Sequence, residues 1–514
     1  MRLAFRHLLH HLRGSSSRDR RIQCVAAEEY IDREYLSAAT KLHSRAYRDY
    51  PRRTTRFHFF KTVFSLTNLP SESEMNAAYR GYCVVTPLEP KTLGRTFLRP
   101  EGRDYSYITC KRKESVHFLG FELEVIAAPF AEQDARVGRC ATAALYMATS
   151  TISRNFLFRT RSESPAELTE LATHFSVGAS GGPFPSQGGL SESQIMWAIR
   201  EIGLVPRAFH YRDPEKYPPV GDIQPERAFK SLTRTAYTFI ESGLPLVVVI
   251  RLPGAGDRNH AATIIGHTYD TKLNPVKSKP EVSLDSSDWC DEFIVHCDQT
   301  GQYIRMKFTP STKLSDGLPI IIVNTDHLPR SVGSRIEAFY KEARVTSIIA
   351  ALPVGVDLPA NEAAAKGRNV LLEALKRLPG RIELPDVSRC RTLLVAGSDL
   401  RREFQFKDPP CSEHLARLYR GSQFSRFVWV TEMYGDAEGV VDPEHLPVIG
   451  EVVFESSSTS EDLDFLSMHL PGMFFHMPPS ATGTKAFDEA IDHPVVLDDD
   501  TSYQPYLRHD AWLP

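Results

Sequence analysis

Four residues of this chain have types and positions that could together break an acyl bond: Gln133, Cys140, His260 and Asp298. Cys140 stands where "VGRCATAALYMATS" changes from polar loop to a small, apolar, helix-forming run. The free N–H groups and macrodipole of a helix start stabilise a thiolate, and a nearby imidazolium does so more strongly. The residues after Cys140 are small, which leaves the thiol accessible and lets the helix lie close against a sheet. Such a nucleophile needs a base. His260 follows the glycine-bearing turn "PGAGDRN" and opens the apolar run "AATIIG", so a strand entrance would hold its ring at a cleft rim. Asp298 ends "EFIVHC" and precedes "QTGQ". Polar residues at the ends of two consecutive antiparallel strands can face each other, which is the nucleophile–base–orienter arrangement of a triad. Gln133, seven positions before Cys140, can offer a side-chain amide to an oxyanion beside the Cys140 N–H.

Each of these residues also has an ordinary reading. A cysteine under a helix is often an inert small hydrophobe. His260 can be a satisfied structural histidine, Asp298 an ordinary turn residue, and Gln133 a surface-loop side chain.

The elements that must position them are legible as period and punctuation. "CATAALYMATSTI" has helical composition, and "SESQIMWAIREIGL" opens with a capping box, Ser191 with Gln194. "LPLVVVIRL" is a continuous apolar run suited to a strand buried on both faces. "HAATIIGHTY", "EFIVHCD" and "YIRMKF" suit short strands of an antiparallel sheet. Upstream, "EEYIDREYLSAATKLHSRAY" has helical spacing, while "GYCVVTPL" and "GFELEVIAAP" read as strands. Downstream, "RIEAFYKEARV" and "GRNVLLEALKRL" read as helices, and "RTLLVAG", "SRFVWVTEM" and "IGEVVFE" as strands. The expected class is α+β. The expected division is a poorly structured lead over 1–25, a mixed region over 26–130, the candidate catalytic domain over 131–325, and a mixed C-terminal region over 326–514.

Composition narrows the function classes. The chain has 514 residues, 42% hydrophobic and 24% charged, with a formal net charge of −3. This is globular material for about three domains, and no strong field points to nucleic acid. Eight scattered cysteines without a CxxC pair do not make a disulfide scaffold and fit a reducing, cytoplasmic setting. The basic start, "MRLAFRHLLHHLRG", lacks the apolar core of a secretory signal and reads as a short amphipathic helix or a disordered lead, and no run is long enough for a membrane span.

The ordered set resembles the papain-like cysteine peptidases, nearest to the bacterial branch that removes double-glycine leader peptides. The residues that carry the resemblance are "QDARVGRCATAALYMA", "GGLSESQIMWAIREIGL", "GLPLVVVIRL", "NHAATIIGHTYD" and "FIVHCDQTGQY", over roughly 130–310. It implies a papain-like core, helical first and antiparallel sheet afterwards, with N- and C-terminal α/β appendages. It implies Cys140 as nucleophile, His260 as general base and acid, Asp298 as orienter and Gln133 as oxyanion donor. Gly188, Gly189 and Asn259 fall where substrate would lie. The implied substrate is a peptide or protein, with no cofactor, and the terminal regions are free to take a protein partner. The sequence departs from the family twice: its glutamine stands seven rather than six before the cysteine, and Gln299 replaces the proline that often follows the aspartate. No transporter segment accompanies the domain, so bacteriocin export is not implied. The same residues could run transglutaminase-like acyl transfer, or the core could be a non-catalytic binding module.

A metal centre is not expected. Cys290, His296 and Cys297, with His260 and His267, lack the tight CxxC or HxxxH pairing of zinc ligands. Strand alternation puts His296 and Asp298 on one face and Cys297 on the other. The glycine-rich "GASGGPFPSQGG" lacks the context of a phosphate cradle and reads as a mobile loop flanking the cleft.

Overall fold

The computed structural model describes residues 3–4, 6–8, 22–41, 50–100, 106–133, 140–155, 162–174, 189–211, 225–253, 258–270, 284–310, 318–378, 388–406, 413–435, 448–458, 463–477 and 483–497. The chain folds as α+β with mainly antiparallel sheets. The first sheet has four antiparallel strands in sequence order, β1 (Cys24–Tyr30), β2 (Thr54–Phe60), β3 (Tyr79–Val85) and β4 (Leu93–Leu98). Helices α1 (Arg33–Lys41) and α2 (Glu72–Ala78) lie between them, the latter opened by a capping box of Ser71 and Glu74. After a short β5 (Ser106–Tyr107) comes the hairpin of β6 (Arg112–Phe118) and β7 (Phe121–Ala127). The hairpin's apolar residues Val116, Phe118, Leu123 and Val125 share an aromatic core with Phe60, Tyr79, Tyr82 and Phe97.

The helical part comes next: α3 (Cys140–Asn155), α4 (Pro165–His174), α5 (Glu192–Glu201), β8 (Val205–His210) and α6 (Pro225–Glu241). Then come β9 (Leu246–Leu252), β10 (Arg258–Tyr269), β11 (Leu284–Asp285), β12 (Cys290–Cys297), β13 (Gly301–Thr309) and β14 (Ile320–Asn324). Helix α7 (Arg330–Phe339) and strand β15 (Arg344–Leu352) complete this part. Strands β9, β10, β12, β13, β14 and β15 pair antiparallel in a closed ring, β15 returning to β9. Closure leaves none of the six with a fully free edge. Strand β5 adds to β10, and β8 to β15.

The last sheet runs β11–β16 (Ser388–Ala396)–β17 (Phe427–Gly435)–β18 (Val448–Glu455)–β19 (Ser467–Leu470)–β20 (Met473–His476)–β21 (Val495–Val496). Around it lie α8 (Ala360–Arg377), α9 (Gly397–Phe406), α10 (Glu413–Gly421) and α11 (Gly483–Asp492). One contiguous apolar core joins α3, the ring, α8 and this sheet.

The structure departs from the sequence reading in several elements and boundaries: the helix expected over "RIEAFYKEARV" ends at Phe339, and Arg344 and Val345 open strand β15. Residues 3–4 and 6–8 of the expected lead are helical, and Ala4 and Leu8 are buried in the main core. Glu28–Tyr30 belong to a strand because Glu28 sits in register with Arg56 and accepts from its Nε at 2.6 Å. The expected boundaries near 130 and 325 cut through the ring sheet, which takes β5 from before the first and β15 from after the second.

Helix α1 is tied to the Cys140 helix by a buried acid. The Tyr146 hydroxyl donates to Glu34 Oε1 at 2.8 Å. Burial, opposed by Arg95 and reinforced by Asp32, pushes the Glu34 carboxyl from 4.5 to about 7. An acid raised in the folded state stabilises the fold while protonated. That stabilisation is full below about pH 4.5 and is lost as pH rises through about 7. Glu34→Gln removes the dependence. Between about pH 5 and pH 8, denaturant midpoints of the wild type should lose roughly 2–3 kcal/mol relative to the variant.

Candidate functional site

Cys140 is the first residue of α3, and the residues after it explain how close that helix comes to the ring. Ala141, Ala143, Ala144 and Ala148 are buried against it. The buried hydroxyl of Thr263 donates to the Ala144 carbonyl at 2.9 Å, fixing the helix against β10 one turn from the thiol. His260 is the third residue of β10, opposite Ile250 of β9. Asp298 directly succeeds the last residue of β12. Its turn is set by Gly301, with φ +122°, where a Cβ would meet His7 Nδ1 at 2.4 Å. The His7 Nδ1–H donates to the Thr300 carbonyl at 3.2 Å, so the N-terminal helix secures the turn that carries Asp298.

These placements bring three of the predicted residues together. The Cys140 side chain hydrogen-bonds the His260 imidazole. His260 Nε2 also lies 3.6 Å from Asp298 Oδ1. A fourth group is present there: Cys297 Sγ is 3.2 Å from Nε2. His260, Cys297 and Asp298 are only 5%, 0% and 2% exposed, so bulk water is excluded from that cluster. Cys140 is half-buried and is the open side of the site.

Cys297 is the residue that alternation misplaces. The pairing of β12 with β13 shifts between Val295 and Cys297, which breaks strict alternation there, and Asp298 lies in the turn beyond the strand. Cys297 Sγ and Asp298 Oδ1 both approach His260 Nε2. His296 points away, its Nδ1–H donating to the Pro129 carbonyl at 3.0 Å, with Phe130 and Tyr303 edge-on to its ring. Burial depresses the His296 imidazole to about 3, so it is neutral and structural.

The electrostatics are set by burial against pairing. Burial alone would lower the affinity of His260 for its proton. The Cys297 sulfur, hydrogen bonds with Cys140 and Cys297, and the Asp298 carboxylate outweigh it, holding the imidazole well above its ordinary value. Burial pushes the Cys297 thiol up, but the His260 charge and hydrogen bonds from His260 and Thr300 bring it below its ordinary range. The Tyr340 hydroxyl also bonds Cys297 and lies 3.4 Å from Thr300 Oγ1. The Phe339 ring stands edge-on to His260, with centroids 5.3 Å apart. Both aromatics come from the end of α7, beyond the expected catalytic domain, and no local signal marks them.

Of the remaining predicted residues, Gln133, Gly189 and Asn259 are described and Gly188 is not. Gln133 is half-buried. Its neighbour Glu132 is anchored to β4, donating its N–H to the Leu93 carbonyl at 2.8 Å and accepting the Leu93 N–H on its carboxylate at 2.7 Å. The link from Gln133 to Cys140, residues 134–139, lies outside the described residues, as do Gly188 and 175–187 of the glycine-rich loop. Gly189 has φ +86° just before α5, whose capping box of Ser191 and Gln194 is formed. Asn259 is exposed beside His260. His267 is bound to Glu241 at 2.5 Å, and Cys290 packs near Trp289, so neither joins the cluster.

No protein-family model, curated protein or solved structure matches the chain. The chemistry of the site is therefore argued from its own geometry.

The Phe339 edge gives a direct check. Phe339→Ala should raise the rate at which diethyl pyrocarbonate modifies His260 several-fold, read by peptide mass spectrometry. Its stability cost should fall below the roughly 3–5 kcal/mol of a fully buried Phe→Ala, because Phe339 is half-buried. An unchanged rate would show that this ring does not control access.

Proposed function

We propose that the chain is a cysteine hydrolase with a papain-like core, acting on a peptide or protein through a thioester on Cys140. The observation that carries the reading is the placement of one imidazole between a helix-start thiol and a buried carboxylate. Nε2 is committed to the Asp298 and Cys297 side. His260 takes the Cys140 thiol proton and, with its affinity for a proton raised by Cys297 and Asp298, holds it as imidazolium while the sulfur attacks the carbonyl. Asp298 holds the ring in the tautomer with hydrogen on Nε2 and stabilises the imidazolium that forms. His260 next gives its proton to the leaving amine, and water releases the acid from the thioester. The Cys140 N–H at the start of α3, with the Gln133 side-chain amide, would face the oxyanion. The closed ring suits this chemistry because base and orienter sit on adjacent, mutually paired strands.

The rival reading, a binding module on the same scaffold, draws on one observation: Cys297 lies nearer to Nε2 than Asp298 does. One experiment separates the two. A peptide α-halomethyl ketone carrying a reporter should label the wild type at Cys140, label His260→Ala weakly, and leave Cys140→Ala unlabelled at that peptide. Against a substrate found by peptide-library profiling, Cys140→Ala should lower kcat/KM by at least about a thousandfold. Equal labelling of wild type and Cys140→Ala would sink the hydrolase reading. Analysis of products in the presence of an added amine would distinguish hydrolysis from acyl transfer.

A further inference from the structure

The cluster on the buried flank of His260 has donor chemistry that the hydrolase reading does not use. His260 Nε2, Cys297 Sγ and a carboxylate oxygen of Asp298 all lie within 4.8 Å of one another. The separations from Nε2 are 3.2 Å to sulfur and 3.6 Å to oxygen. A tetrahedral zinc ion with metal–sulfur and metal–nitrogen bonds of about 2.3 and 2.05 Å holds such ligand atoms about 3.3–3.6 Å apart. The two separations from Nε2 are thus close to ligand spacing, and the sulfur and the carboxylate oxygen lie within 4.8 Å of each other.

From this geometry we infer that His260, Cys297 and Asp298 form a binding site for a soft divalent cation of the zinc type, and that its occupation switches off Cys140. The donor set of imidazole, thiolate and carboxylate suits zinc over magnesium or calcium. Binding releases the Cys297 thiol proton to solvent. One thiolate and one carboxylate then neutralise the dication, as a buried charge requires. The hydroxyls of Tyr340 and Thr300 already bond the Cys297 sulfur and would orient it as a ligand. Cys140 is not among the three mutually close donors and stays outside the ligand set, and the fourth position is left to water.

The regulatory half of this inference rests on the hydrolase reading. A cation on Nε2 displaces that nitrogen's proton, to Nδ1 or to solvent, and leaves the metal-bound ring with its hydrogen on Nδ1. The ring can then no longer accept the Cys140 proton.

The test uses the full-length chain stripped of metal, with cobalt(II) as the spectroscopic probe. Wild type and Cys140→Ala should both bind one cobalt per chain with a thiolate-to-cobalt charge-transfer band, and zinc should displace it. Cys297→Ser and Asp298→Asn should lose at least about tenfold in affinity, and Cys297→Ser should lose the band. Circular dichroism melting establishes that each variant is folded. If Cys297→Ser does not fold, the band in the wild type and the Asp298→Asn titration still decide. A wild type without the band, or Cys297→Ser binding as tightly as wild type, overturns the site. Loss of binding in Cys140→Ala overturns the ligand set. Zinc should slow halomethyl ketone labelling of Cys140 in the wild type and not in Cys297→Ser; equal labelling with and without zinc overturns the switch. Cobalt binding does not depend on Cys140 being a nucleophile, and metal-free labelling does not depend on the cation. Failure of one reading is thereby distinguishable from failure of the other.

Discussion

The bond from the Thr263 hydroxyl to the Ala144 carbonyl is the constraint on which the site depends. It is a single hydrogen bond, of modest net worth, but it is fully buried and fixes a register. Ala144 lies one helical turn after Cys140, and Thr263 three residues after His260. With that bond made, the start of the helix and the entrance of the strand cannot slide past each other. The run of alanines on α3 makes the approach possible, because larger side chains would hold the helix off the ring.

A second buried network joins the ring to the C-terminal sheet. Glu241, at the end of α6, accepts from His267 Nε2 of β10 at 2.5 Å and from Arg391 Nη1 of β16 at 3.0 Å. Arg391 also bonds Glu432 of β17 at 2.7 Å, and the Tyr434 hydroxyl caps the same carboxylate. Every member is buried, so each charge depends on its neighbours, and removing one leaves an uncompensated ion at a cost of about 3–5 kcal/mol. Neither sheet can be separated from the other without breaking that arrangement. This is the physical reason that the chain does not divide at the boundaries its composition suggests.

The features legible in the sequence are local. The alternation and length of β9, β10, β12 and β13, the capping box of α5 and the helix at Cys140 are all properties of short windows. Cys140, His260 and Asp298 could be found because strand ends and helix starts are marked by such windows. The features that escaped were set by distant partners. The irregularity at Val295–Cys297 exists only in the pairing with β13, and it breaks the strict alternation expected there. Phe339 and Tyr340 reach the site because β15 returns to β9, and strand order leaves no trace in local composition. The N-terminal residues look like a solvated lead until His7 is seen holding the turn after Asp298.

The return of β15 to β9 also sets an order of events during synthesis. Cys140, His260 and Asp298 have all left the ribosome once residue 298 has, yet the ring that holds them is still open. Its closing strand ends at Leu352, and α7, which carries Phe339 and Tyr340, lies on the connection just before it. Pairing across about a hundred residues is slow relative to local helix formation. The nascent chain therefore carries the Cys140 thiol for some time without a rigid partner for it, and the site is completed by the last strand to arrive.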